Sequence, residues 1–239
     1  MKSSIFAALL ATTATILTLG AIAPSASAYS FVPQEEGEID VDFGCLDPLQ
    51  CIELDPIFKS IESLQDASSG GFSRLFVDSF DTVNTYGDNI RFGTKDAGTN
   101  HEGFWFRPSE VSEERGQLEV GTYRFTFAEV ISELTIDYFD TESFPTTGVL
   151  ELNGEPVGNV DYVARGRDGN IVSQTFTDVK SLVLKLGNDS PSGTGDGVNF
   201  RLAGRFDASE EPVDVPEPAS LLGLLAVGAL GTIKIRRKS

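Results

Sequence analysis

In Tyr123-Arg124-Phe125-Thr126-Phe127, and again in Leu134-Thr135-Ile136-Asp137-Tyr138, large apolar residues alternate with polar ones. Successive side chains of a β-strand point to opposite faces of the sheet, so this alternation predicts two strands that each bury one face. Shorter segments with the same alternation occur at residues 75–77, 150–152, 182–186 and 198–202. The chain therefore has the pattern of an all-β domain.

Turn residues and aromatic content indicate how these strands are arranged. Asn153-Gly154 predicts a two-residue hairpin turn, because both positions of such a turn need a positive φ. Seventeen phenylalanines supply bulk for the space between two layers. We predict an antiparallel β-sandwich with jelly-roll-like topology and about eight to ten strands. Residues 56–64 are an exception, since Ile57, Ile61 and Leu64 have the spacing of one face of a short helix.

The end of the chain has the composition of a membrane anchor. Residues 219–233 carry no charge, and as a helix they would extend roughly 22 Å at about 1.5 Å per residue. This length is short for a membrane span, so we predict a single, marginal transmembrane helix at residues 219–235. The basic residues that follow predict a short cytoplasmic tail at 236–239, which places the preceding chain outside the cytoplasm. They are Arg236, Arg237 and Lys238.

Pro216-Glu217-Pro218 lies just before the apolar segment. Proline fixes φ and has no N–H donor, so the tripeptide is extended and belongs to no helix or sheet. An extended Pro-Glu-Pro, a short apolar helix and a basic end together resemble the PEP-CTERM sorting signal of bacterial exported proteins. The resemblance implies cleavage near the tripeptide by a membrane-embedded exosortase, in species that tend to make exopolysaccharide. An ordinary C-terminal membrane tail is the alternative interpretation.

Leu118-Glu119-Val120-Gly121 carries a second resemblance. It is similar to the short signature of a cyanobacterial group of PEP-CTERM proteins named after these four residues, the LEVG group. This resemblance implies that the protein belongs with exported cyanobacterial PEP-CTERM proteins, and it implies no biochemical activity.

The start of the chain has the pattern of a secretory signal peptide. Lys2 is followed by a mostly apolar stretch at residues 5–23, and Ala26-Ser27-Ala28 has the small-residue spacing that signal peptidase cleaves. We therefore predict a signal peptide at residues 1–28 and a mature chain that begins at Tyr29.

Between the two terminal signals we predict an irregular segment at residues 29–70, the β-sandwich at 71–208 and a linker at 209–218. Cys45 and Cys51 are the only cysteines of the chain, and both lie in the exported part. Thiols outside the cytoplasm tend to oxidise, so the two cysteines predict a local disulfide. Two cysteines with no neighbouring histidine argue against a metal or redox site.

The charge of the chain limits its partners. The formal net charge is −18, although the C-terminal end is basic, so the exported part is strongly acidic. Binding to nucleic acid or to an anionic membrane surface needs lysine and arginine, and the composition argues against both. It favours solubility, cations or a neutral polymer. A well-solvated secreted surface alone would account for the same composition.

Catalytic signatures are scarce. The only histidine is His101, and the sequence has neither an H-E-x-x-H motif nor a G-x-S-x-G elbow. Carboxylates such as Asp137, Asp140 and Glu142 have the chemistry for glycoside hydrolysis, but with 36 acidic residues in the chain close pairs arise by chance. We predict that the protein is not an enzyme and needs no cofactor.

Two features suggest binding. The segment 187–197 is rich in oxygen ligands, and Asn188, Asp189 and Asp196 are candidate ligands for Ca²⁺, although a solvent-exposed connection explains the same residues. In Phe104-Trp105-Phe106 the side chains of a strand alternate, so Trp105 is a candidate outward ring for stacking on a sugar. The alternative is that a loop or second layer covers Trp105.

Taken together, these features predict an exported, non-enzymatic protein with a membrane-anchored precursor. We expect exosortase to sort it to the cell surface or extracellular matrix, where it associates with exopolysaccharide. The alternatives are a calcium-assisted carbohydrate-binding module and, third, a secreted hydrolase.

Overall fold

The computed structural model describes residues 28–67, 70–88, 90–94, 102–110, 119–188 and 196–206. These residues form thirteen β-strands and no helix. In chain order the strands are β1 Tyr29–Ser30, β2 Gly37–Ile39, β3 Cys51–Ile52, β4 Phe58–Leu64, β5 Ser73–Ser79, β6 Asn84–Tyr86, β7 Ile90–Phe92, β8 Phe104–Glu110, β9 Gly121–Phe139, β10 Gly148–Leu152, β11 Glu155–Tyr162, β12 Ile171–Leu186 and β13 Asn199–Arg205.

Eleven of these strands belong to one sheet. Its main path runs β11-β10-β12-β9-β13-β8-β5-β2-β3, while β1 pairs with β13 and β4 pairs with β9. The pair β2–β3 is parallel and the other pairs are antiparallel, so the sheet is mixed. Strands β6 and β7 form a separate two-stranded sheet.

The large sheet has two halves, and strand β9 runs through both of them. Its first part pairs with β4, its second part pairs with β13, and β12 runs beside both parts. The register between β9 and β12 shifts between Val179 and Ser181, and Ala128, Glu129 and Val130 are exposed at the matching point of β9. Extra residues on one strand bend a sheet, so this irregularity is the corner at which the sheet turns back on itself.

The two halves enclose an aromatic core. Phe125, from the first part of β9, contacts Phe106 of β8 at 6.4 Å and Phe200 of β13 at 5.9 Å between ring centroids. Phe106 and Phe200 stack at 5.1 Å. Because β8 and β13 belong to the opposite half of the sheet, these rings span the space between the layers, and their burial stabilises the fold.

The all-β prediction is confirmed, but the predicted antiparallel β-sandwich with jelly-roll-like topology is replaced by one large mixed sheet that contains eleven of the described strands. Residues 123–127 and 134–138 were predicted as separate strands, and both lie in β9. Their apolar side chains are fully buried, as the alternation predicted. Residues 128–133 contain no Gly, Pro, Asn or Asp to form a turn, so the strand continues around the corner.

The predicted helix at residues 56–64 is wrong. Phe58–Leu64 is strand β4, which pairs with β9 from Phe58 to Leu64. A register shift between Phe58 and Ser60 lets both Phe58 and Ile61 face the core, and three-residue spacing is therefore compatible with a bulged strand. The backbone pairing of this segment with β9 therefore decides its conformation, and the helix-like spacing of its apolar residues does not.

The predicted hairpin turn is confirmed. Asn153 and Gly154 join β10 to β11 with φ values of 54° and 82°. Asn153 also accepts a hydrogen bond from the Lys180 backbone N–H at 2.6 Å through its Oδ1 atom. The turn therefore forms a hydrogen bond with the corner of β12 and stabilises it.

The chain enters and leaves the described domain at one end. Tyr29 pairs with Gly204, whereas Asn199, at the start of β13, pairs with Phe139. The six residue steps from Asn199 to Arg205 cover about 20 Å at roughly 3.4 Å per step. We call the end with Tyr29 and Arg205 the terminal end, and the end with Phe139 and Asn199 the loop end.

No helix within the described ranges is long and apolar enough to cross a membrane. Of the predicted signal peptide only Ala28 lies within them, and the predicted transmembrane segment 219–235 and basic tail 236–239 lie outside them.

Candidate functional site

The loop end carries an acidic cluster formed by Asp140, Glu142 and Asp168. One carboxylate oxygen from each residue lies within 4.8 Å of those of the other two. Asp140 and Glu142 follow β9, whereas Asp168 lies in the connection between β11 and β12. The pairing of Phe139 with Ile171 brings these two connections together.

Asn170 locks the two connections of the acidic cluster to each other. Its Oδ1 atom accepts a hydrogen bond from the Thr141 backbone N–H at 2.9 Å, and its Nδ2 atom donates to the Thr141 carbonyl at 2.8 Å. Asp140 has a φ of 64° and accepts a hydrogen bond from the Gly169 N–H at 2.9 Å. With this positive φ, the Asp140 carboxylate is directed towards the connection between β11 and β12. The backbone conformation therefore contributes to the geometry of the cluster.

Asp196 joins a third connection to this end. Its side chain is buried, and its two carboxylate oxygens accept hydrogen bonds from the Glu142 N–H at 2.7 Å and the Thr146 hydroxyl at 2.8 Å. Asn188 accepts a hydrogen bond from the Asp196 backbone N–H at 3.2 Å. Asp196 therefore fastens the segment between β12 and β13 to the one between β9 and β10.

The ligand set predicted for Ca²⁺ is only partly brought together. Asn188 and Asp196 form a β-bridge, and Asp189 lies outside the described residues. The three-carboxylate group found in the structure is a different set, and the sequence indicated Asp168 only as a possible turn residue, beside Gly169, and not as a ligand. Asp168 lies 28 residues after Asp140, and no local spacing marks such a pair.

Burial within the acidic cluster raises the pKa of the Asp140 carboxyl to about 6. Burial is the largest cause, and the charges of Glu142, Asp168 and Asp196 act in the same direction, while the hydrogen bond from Gly169 lowers the pKa. Either a proton or a cation at this position would relieve the repulsion among the carboxylates. The cluster is thus an anionic group whose charge depends on pH below neutrality.

We expect Asp140→Asn to stabilise the domain at pH 7. The folded state holds the Asp140 proton more tightly than the unfolded state, so this carboxyl destabilises the fold as pH rises from about 4 to about 6. Asparagine tolerates a positive φ and can still accept the Gly169 hydrogen bond. Because Asp140 is partly exposed and screened, the gain should stay below about 1 kcal/mol.

Urea denaturation at pH 7 and pH 4.5 checks this expectation. The increase in the free energy of unfolding caused by Asp140→Asn should be smaller at pH 4.5. Asp178→Asn is the matched control, since Asp178 also has a positive φ but lies at the corner of β12. A gain for Asp140→Asn that is equal at both pH values would contradict the assignment of the effect to this carboxyl.

Trp105 does not face solvent. It is fully buried, and the other residues of β8 from Phe106 to Ser109 are buried as well. Phe92 of β7 packs against Phe76 at 5.0 Å, and the Arg107 guanidinium lies 4.1 Å above the Phe92 ring. The small β6–β7 sheet thus forms a second layer near this face of β8. Trp105 is therefore not an outward ring for stacking on a sugar, and the alternative interpretation, in which a second layer covers it, is confirmed.

The remaining predicted residues are distributed as follows. Cys45 and Cys51 are joined by a disulfide with an S–S distance of 2.01 Å. Ala28 is exposed beside the start of β1. The residues that lie outside the described ranges are His101, Ala26, Pro216, Glu217, Pro218, Arg236, Arg237 and Lys238.

Comparison with known proteins bears on the end of the chain. Residues 214–238 match the family model of the PEP-CTERM protein-sorting motif. No curated protein and no solved structure matches the chain significantly. The motif defines a class of exported proteins that pass through a membrane-anchored precursor and are processed by exosortase. This chain carries that motif, as its residues predicted, whereas the LEVG assignment stays a prediction.

Proposed function

We propose that the protein is a non-enzymatic component of the cell surface or extracellular matrix that associates with exopolysaccharide. The observation that carries this proposal is the sorting motif at residues 214–238, which directs the chain to exosortase. The acidic composition supports a solvated, neutral-polymer environment over contact with anionic surfaces.

The position of the chain ends supports an outward-facing domain. Residue 206 lies at the terminal end, and residues 207–218 connect it to the apolar segment. Twelve residues reach at most about 40 Å when fully extended. In the precursor the terminal end therefore lies within about 40 Å of the membrane, and the loop end is free to face away from it.

Fractionation of the native protein tests this proposal. We expect the mature chain to sediment with purified exopolysaccharide and to be released when that polymer is depolymerised enzymatically. An exopolysaccharide-deficient strain is the control, in which the same protein should appear in the soluble medium. Sedimentation that does not depend on the polymer would contradict the association.

A calcium-assisted carbohydrate-binding module is the second candidate, and the acidic cluster of Asp140, Glu142 and Asp168 favours it. Under this function, millimolar Ca²⁺ should raise the Tm of the wild-type protein by several degrees, because binding to the folded state alone stabilises it. Asp140→Asn should remove most of that shift and Asp178→Asn should not. Equal shifts in all three proteins would reject the cluster as the binding site.

A further inference from the structure

A pocket of about 310 Å³ opens at the terminal end of the domain. Four separate segments form it: the start of β1, the approach to β4, the corner of β9 and the residue after β13. The lining residues that matter here are Tyr29, Asp55, Ile57, Ala128, Glu129 and Phe206. Its volume is at the lower end of the range found for small-molecule sites.

The aromatic walls of the pocket rest on the core. Tyr29 and Phe206 both pack against the fully buried Phe31, with ring centroids 5.9 Å and 6.3 Å away. Phe31 in turn contacts Phe127 at 6.0 Å. The Tyr29 side chain is nevertheless 55% exposed, so the core holds an accessible ring in place. Such preorganisation lowers the entropic cost of binding.

The polar groups of the pocket are also held in place. The Asp55 carboxylate accepts hydrogen bonds from the Ile57 N–H at 2.9 Å and, at a longer 3.4 Å, from the Tyr29 hydroxyl. The Ala128 N–H donates to the Ile57 carbonyl at 2.7 Å, which joins the corner of β9 to the wall opposite. Glu129 adds a second, exposed carboxylate at the rim.

The charges around the pocket select among ligand classes. Asp55 and Glu129 are the charged side chains among the described residues of its lining, and the mature chain predicted to begin at Tyr29 adds one α-ammonium group there. Two carboxylates against one cation disfavour phosphates, sulfates and uronic acids. Lys180 lies just behind the wall, where its ammonium donates to the Ala128 carbonyl at 2.6 Å. That charge offsets part of the carboxylate field and makes the pocket less suited to an organic cation than two carboxylates alone would.

We propose that this pocket binds one or two residues of a neutral saccharide. The apolar faces of a sugar ring match the rings of Tyr29 and Phe206, and its hydroxyls can donate to the carboxylates of Asp55 and Glu129. The inference deepens the proposed association with exopolysaccharide and rests on it for the source of the ligand. It places binding at the terminal end, away from the acidic cluster.

The test uses the mature protein purified from the medium and calorimetric or NMR titration. The probes are cellotriose, maltotriose, mannotriose and neutral oligosaccharides released from the exopolysaccharide of the producing species. Trigalacturonate and putrescine are the acidic and cationic comparators. We expect binding of at least one neutral probe and of neither comparator. Binding of putrescine alone, or of no probe, would overturn the assignment.

Substitutions then locate the site. Phe206→Leu keeps an apolar contact with Phe31 but removes the aromatic face, and it should raise Kd about tenfold, whereas Phe206→Tyr should stay near wild type. Glu129→Gln, on an exposed side chain, should raise Kd about threefold. Val130→Ala is the control, since Val130 is exposed beside the pocket without lining it. Unchanged affinity in both Phe206→Leu and Glu129→Gln would overturn the site even if saccharide binds.

The two proposals fail in different ways. If wild-type protein and Phe206→Leu sediment equally with the exopolysaccharide, the polymer association stands and the pocket is not its binding site. If neutral trisaccharides bind in the pocket but the protein does not sediment with the polymer, the pocket stands and the proposed function falls.

Discussion

Replacing Glu217 with alanine is expected to leave the precursor exported but uncleaved and retained in the membrane. Flanking prolines favour an extended backbone, which is the conformation that proteases bind, and Glu217 is the only ionisable side chain of the tripeptide. Nearly all of the protein should move from the medium to the membrane fraction and keep the mass of the chain that includes residues 219–239. An epitope within the β-domain reports the distribution.

Glu211→Ala is the matched control for this experiment, because it removes the same side chain from the linker outside the tripeptide. It should be processed as wild type. If Glu217→Ala appears in the medium at wild-type size and amount, recognition does not run through the Pro-Glu-Pro tripeptide.

The length of the apolar segment offers a second way to trap the precursor. Five leucines inserted within residues 221–233 should favour the membrane by about 0.5 kcal/mol each. A longer span holds more tightly to the bilayer, so we expect retention even with an intact tripeptide. Release at the wild-type rate would show that membrane affinity does not limit this step.

Arg107→Leu is expected to destabilise the β-domain by about 3–5 kcal/mol, a large part of the usual 5–15 kcal/mol of a folded domain. The buried Arg107 guanidinium contacts the Asp78 carboxylate at 2.9 Å and the Glu119 carboxylate at 2.7 Å. Leucine leaves Asp78 buried without this partner. Urea denaturation of the mature protein at pH 7 measures the loss.

Arg124→Leu is the control for that measurement. Arg124 also faces two carboxylates, those of Glu62 at 3.7 Å and Glu151 at 3.4 Å, but all three side chains are more than a third exposed. Exposed ion pairs contribute little, so the cost should be below about 1 kcal/mol. Equal losses for the two arginine variants would contradict the role assigned to burial.

The pH dependence of the Arg107→Leu variant provides a further check. Burial raises the pKa of the Asp78 carboxyl, and Arg107 lowers it by its charge and hydrogen bond. Without Arg107 the pKa rises further, and the folded state then holds this proton more tightly than the unfolded state. The difference in the free energy of unfolding between wild type and Arg107→Leu should therefore become smaller as the pH falls from 7 to 5.

Local patterns predicted the features that depend on neighbouring residues. Alternation identified the buried faces of β9, and Asn153-Gly154 identified the hairpin turn, because side-chain direction and backbone φ are local properties. The disposition of Trp105 could not be predicted in the same way. Alternation placed it opposite Phe106, but nothing local shows that a second layer covers that face.

The sequence by itself determined that the chain carries an exosortase sorting motif, since the order of residues in one continuous segment defines such a motif. It also determined the all-β class, through short-range periodicity. Only the tertiary structure decided that β9 and β12 continue around a corner, that the carboxylates of Asp140 and Asp168 lie close together, and that Tyr29 and Phe206 line one pocket. These arrangements arise from pairing between strands far apart in the chain, and the energy of such contacts depends on the assembled core instead of on any single segment.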